Sequence, residues 1–104
     1  MNEHHYDLRF LPTFEEDLNE AVDYIRLQLC NPIAARNLVT EVEKAIYEML
    51  RFPEAFAPYE SVQQHKYPYY CIPVKNYMVF YVVIGNTMEV RRLIFNRRAI
   101  RNII

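Results

Sequence analysis

The chain has 104 residues, 52% of them apolar or aromatic, with one glycine and six prolines. That length suits one domain over residues 1–104, and that apolar content builds a core without metal or disulfide staples, which argues against a disordered chain. The formal net charge of -1 hides a division: residues 1–60 carry twelve acids and five bases, net -7, whereas 61–104 carry Glu89 and seven bases, net +6.

The first element is a short strand over Tyr6–Leu11, where Tyr6, Leu8 and Phe10 alternate with Asp7 and Arg9. Pro12 stops it, and Thr13-x-x-Glu16 has the spacing of a capping box. Phe14, Leu18, Ala21, Val22, Ile25 and Leu29 then recur at helical steps, which predicts a first helix to about Leu29 or Cys30. Asn31-Pro32 reads as an N-cap with proline at the first helical position. Ala35, Leu38, Val39, Val42, Ala45, Ile46, Met49 and Leu50 continue a second helix to Phe52-Pro53, closing an antiparallel hairpin. The acids of both helices lie mostly off the apolar stripes, as solvated faces do.

Residues 53–66 show no period and read as an irregular loop with room for one helical turn. Tyr69–Val74 is strand-like, with Pro73 marking an edge strand or a bulge. Lys75-Asn76 is a tight turn, Tyr77–Ile84 is apolar on both faces like a central strand, Gly85-Asn86 turns again, and Thr87–Phe95 is the last strand. The expected fold is α+β in the order β-α-α-β-β-β, with the helical hairpin packed on one face of a small, mostly antiparallel sheet.

The starting Met-Asn-Glu-His-His lacks the basic and apolar segments of a signal peptide, and the uncharged run Asn76–Met88 is too short for a membrane helix. A cytoplasmic protein with no membrane partner is expected. Cys30 and Cys71 read as reduced core residues, and no metal or other cofactor is implied. The basic C-terminal part predicts contact with something anionic, nucleic acid or an acidic protein segment, or else neutralisation by the acidic part where the two meet.

The stretches YDLRFLPTFEEDLNEAVDYI, NPIAARNLVTEVEKAIYEMLRFPE, IPVKNYMVFYVV and RRLIFNRRAI, in this order, resemble the RelE/ParE superfamily of toxins from bacterial type II toxin-antitoxin (plasmid stabilisation-like) systems. The resemblance covers nearly the whole chain. It implies a small α+β toxin held inactive by a cognate antitoxin, with an apolar, tyrosine-rich meander beside a cationic surface to receive an amphipathic acidic segment. RelE-like members are metal-independent endoribonucleases that cut mRNA on the ribosome, whereas ParE-like members are similar to DNA gyrase poisons without nuclease activity. The first expectation is growth inhibition by ribosome-dependent mRNA cleavage of the RelE-like kind; the alternatives are a non-nucleolytic gyrase poison of the ParE-like kind and a degenerate toxin that keeps only antitoxin binding.

Metal-free RNA cleavage needs an activated 2′-hydroxyl, a stabilised phosphorane and a protonated leaving oxygen. Arginine suits the phosphorane because its fork binds two oxygens and stays charged. By resemblance Arg97, in FNRRAI, falls at the basic position after the last strand, and His65 and Lys66 are the substitutes for the other roles. Met78 stands where the nuclease branch has an arginine, and the tail after Arg98 carries no tyrosine or histidine. Arg98, Arg101, Lys75 and Arg91 are candidates for holding nucleic acid or another target, with Tyr67 as a stacking surface. Arg91 and Arg92 should point to opposite sheet faces, one of them towards a helix acid or solvent.

Overall fold

The computed structural model describes residues 5–61, 63–95 and 97–104, the last segment without the side chains of Arg97 and Arg98. Strand β1 (Asp7–Phe10) leads into helix α1 (Pro12–Asp23), a π-helical turn (Tyr24–Gln28) and helix α2 (Pro32–Met49). Strands β2 (Tyr70–Val74), β3 (Tyr77–Ile84) and β4 (Thr87–Ile94) follow, and the chain ends in helix α3 (Arg97–Ile103). Sheet order is β1-β4-β3-β2, with β1 parallel to β4 and the other pairs antiparallel. The α+β order with its helical hairpin is as the periodicity predicts.

The helix starts differ in chemistry. Asn31 caps α2 as expected, its side chain accepting from the Ala34 amide at 3.0 Å. The capping box at Thr13 does not form, because α1 already begins at Pro12 with Leu11 in the cap position. The Thr13 hydroxyl instead donates to the Arg91 carbonyl at 2.9 Å. At the other end of α1 the ladder widens, with the Leu29 amide bonding Tyr24 and the Asn31 amide bonding Ile25. Cys30, at φ 51°, then reverses the chain.

Against the sheet, α1 and α2 bury Phe14, Leu38, Val42 and Ile46 on Ile72, Val79, Tyr81, Met88 and Val90. Leu18 and Ile25 pack at the margin of this layer and Val22 is half-buried. Within it the Tyr81 hydroxyl donates to the Pro53 carbonyl at 2.6 Å, tying the sheet to the loop after α2. Pro73 sits on edge strand β2, as its missing N–H predicts.

The opposite sheet face is covered as well: it carries a second apolar layer in which Tyr69, Phe80, Val82 and Ile94 meet Ile100 and Ile104. The tail, to which the sequence pattern assigns no element, forms α3, and Ile100 within it and Ile104 just past its end, four residues apart, pack against the sheet. This second layer is needed because β3 is apolar on both faces.

Candidate functional site

Strand β4 is longer than its neighbour β1, which ends at Phe10, so its outer edge beyond Val90 needs other partners. Helix α1 supplies them. The Leu11 amide reaches the Val90 carbonyl at 2.9 Å, Thr13 takes the Arg91 carbonyl, and Asp17 Oδ2 accepts from the Leu93 amide at 3.0 Å. Asp17 also receives two bonds from Arg92, at 2.7 and 3.0 Å, in a forked pair. These hydrogen bonds to Asp17 hold the Arg92 pKa above its ordinary value against the pull of burial.

A bulge at this point gives β4 an extra residue, since Tyr81 pairs with Val90 while Phe80 pairs with Arg92. Arg91, the extra residue, turns to Glu89 at 2.8 Å and to the Tyr69 hydroxyl at 3.3 Å. Arg9 on β1 binds the second Glu89 oxygen at 2.8 Å. Burial pushes the Glu89 pKa up, but the bonds from Arg91 and Arg9 outweigh it and hold the group below the usual carboxylate range. Arg92 thus meets a helix acid, as alternation suggests, and Arg91 is paired as well. The fork of Arg92 is committed to one carboxylate, whereas Arg91 is divided between Glu89 and the Tyr69 hydroxyl.

The loop before β2 caps the far end of α3. Gln63 donates to the Arg101 and Asn102 carbonyls, each at 3.3 Å, and His65 Nε2 lies 2.6 Å from the Ile104 main-chain oxygen. These groups satisfy carbonyls that a helix C-terminus leaves free. His65 also stacks on Tyr69 with ring centres 4.5 Å apart. Lys66 is exposed and rests 5.5 Å over the Tyr67 ring, which packs at the margin of the second layer. Arg101 is exposed on the same helix.

Arg97 and Arg98 begin α3, and their side chains lie outside the described residues. At a helical rise per residue the start of α3 is roughly 10 Å from the end where His65 docks. Lys75, at φ 55° in the β2–β3 turn, belongs to the sheet end where Met78 pairs with Ile94, next to that start. The backbone therefore gathers His65, Lys66 and Tyr67 at one end of α3 and Lys75, Arg97 and Arg98 at the other. Met78 is half-buried against the second layer, 3.9 Å from the Cys71 sulfur, and burial pushes the Cys71 thiol up to about 11, away from a reactive thiolate.

One feature escapes the sequence reading. A cleft of about 400 Å³ opens between α1, the π-helical turn, the adjoining ends of β3 and β4, and α3. Tyr24, Tyr77 and Phe95 rim it, Leu93 and Ile103 line it, and Asp17, Glu20 and Arg92 border it. The rings of Tyr77 and Phe95 stand 5.1 Å apart. Its residues come from four separate segments, so no local pattern announces it; the exposed aromatics at the ends of regular elements are the only trace in the sequence.

Two helices over one face of a four-strand mixed sheet, with a C-terminal helix on the other face, define a small α+β protein. A family model described as the ParE toxin of the type II toxin-antitoxin system parDE matches residues 8–100, and the chain belongs to that family. Among solved structures it is similar to one titled "Chromosomal ParDE TA system from P. aeruginosa", with a TM-score of 0.69 at 15% identity, covering 88% of this chain and 97% of that one. That likeness shows the shared fold. The search of curated proteins finds no match.

Proposed function

We propose that this ParE-type toxin acts on DNA gyrase and does not cleave mRNA. The observation that carries the reading is the match of residues 8–100 to the ParE toxin family model. The forks of Arg91 and Arg92 on β4, held by Glu89, Tyr69 and Asp17, add no free guanidinium for a phosphorane beside the one proposed at Arg97. The separation of His65 and Lys66 from the start of α3 supports the same branch, because general acid-base groups must lie within hydrogen-bond reach of the atoms they serve. His65 has one ring nitrogen already turned to Ile104. A type II system implies an antitoxin that neutralises the toxin until it is removed.

Controlled induction in a host without the antitoxin tests this. Double-strand DNA breaks and filamentous cells are expected, with intact mRNA ends by primer extension on ribosome-bound message. New mRNA 5′ ends that disappear in Arg97→Ala would return the protein to the ribonuclease branch.

A further inference from the structure

The tip of the helical hairpin is unused by anything described so far. Residues 26–33 are exposed without a break, and among them Leu27, Leu29 and Ile33 are 58%, 56% and 67% open to solvent. None of the three lines the aromatic cleft. The backbone holds them outward: the π-helical turn Tyr24–Gln28 widens the end of α1, with the Leu29 amide bonding back to Tyr24, and Cys30 takes a left-handed φ of 51° that residues other than glycine rarely adopt. Large aliphatic side chains gathered on a surface mark a site where a protein partner anchors. The charge of the tip is opposite to that of the helix bodies. Residues 24–40 carry Arg26 and Arg36 and no acid, whereas five acids lie in residues 15–23 and three in 41–48. Arg26 is neutralised by Asp23 at 3.1 Å, but Arg36 is exposed with no ion-pair partner among the described residues. It follows Ile33 by three positions and so shares its face of α2.

We propose that this tip is the surface by which the toxin grips its target: Leu27, Leu29 and Ile33 enter an apolar pocket on the target protein, and Arg36 pairs with a carboxylate at the border of that pocket. The inference deepens the gyrase reading and rests on it for the identity of the target, so the pocket belongs to gyrase. The acidic border follows from the sign of the tip, since a cation beside apolar anchors is repelled by a basic rim and steered by an acidic one. A second copy of this chain suits the tip poorly. Two tips related by a two-fold axis would bring four arginines together against only two carboxylates, those of the Asp23 pairs.

The test uses the whole toxin, purified gyrase and the cognate antitoxin. Ile33→Glu and Arg36→Glu should each raise the toxin concentration needed to linearise supercoiled plasmid by roughly tenfold or more. Lys44→Glu, the same charge reversal as Arg36→Glu at an exposed position farther along α2, should change it by no more than about twofold. All three should keep the wild-type melting temperature and antitoxin affinity; Ile33→Ala, which removes the anchor without adding charge, replaces Ile33→Glu if that melt is lowered. Full potency of either tip variant against gyrase overturns the proposal. So does a loss of antitoxin affinity in both, or a wild-type dimer that both dissociate, since the tip would then belong to the antitoxin or to a second copy. Growth arrest on induction reads the tip whatever the target is. Wild-type toxin that arrests growth without linearising plasmid ends the gyrase reading, and the tip is then upheld if both variants lift the arrest and overturned if either arrests growth as the wild type does. A wild-type toxin with neither effect has no target to grip, which overturns the proposal as well.

Discussion

Glu89 is almost fully buried and holds Arg9 from β1 and Arg91 from β4, with Tyr69 completing the arrangement. Removing one member of a buried ion pair strands the other charges. Because Arg91 and Arg9 are partly exposed, Glu89→Ala should cost on the order of 2–3 kcal/mol, below the cost for a fully buried pair, measured by urea unfolding. The sign of the pH dependence follows from the direction of the shift. Glu89 is held below the ordinary carboxylate value, so its contribution is complete above about pH 4.5 and is lost as pH falls through the lower folded value. Glu89→Gln should flatten the stability curve in that acid window. Tyr81→Phe leaves the Pro53 carbonyl without its buried donor and should cost about 1–3 kcal/mol. None of these pairings is visible in the sequence, since Arg9 and Glu89 are eighty positions apart and only the parallel β1–β4 register brings them together.

At the scale of elements, the helical stripes were legible because a 3.6-residue period survives any detail of packing: Leu38, Val42 and Ile46 are buried where their spacing puts them. Ile46→Ala should destabilise the protein by about 2–5 kcal/mol through lost burial and a residual cavity, and Asn31→Ala by about 1 kcal/mol through loss of the α2 cap, both by denaturant titration. Thr13 was misleading for a physical reason. Its hydroxyl has two possible uses, local capping or the unpaired edge of β4, and the edge carbonyl is a non-local partner that no spacing rule registers. Helix α3 was hidden because a seven-residue helix rich in arginine has a weak apolar pattern of its own, and only the apolar second face of β3 makes Ile100 and Ile104 core residues. Which end of α3 each candidate residue adjoins was hidden for the same reason, because it is a property of the meander.

Over the whole molecule, the charge division of the sequence persists in the fold. Glu15, Glu16, Glu20, Glu41, Glu43 and Glu48 remain exposed on the helices, and among the described residues the two halves are joined by the ion pairs of Arg92 with Asp17 and Arg9 with Glu89. The protein therefore offers an acidic helical side and a basic side around α3, a distribution suited to orienting a charged macromolecular partner more than to concentrating catalytic groups at one point. No helix among the described residues is long and apolar enough to cross a membrane. The central claim is that this toxin works on gyrase without RNA chemistry. It is tested most directly by incubating purified toxin with purified gyrase, ATP and supercoiled plasmid in the absence of ribosomes, then denaturing the reaction and measuring linear DNA. Linear DNA that rises with toxin concentration and is suppressed by the antitoxin is the predicted result; supercoiling and plasmid integrity unchanged at a large molar excess of toxin would contradict it.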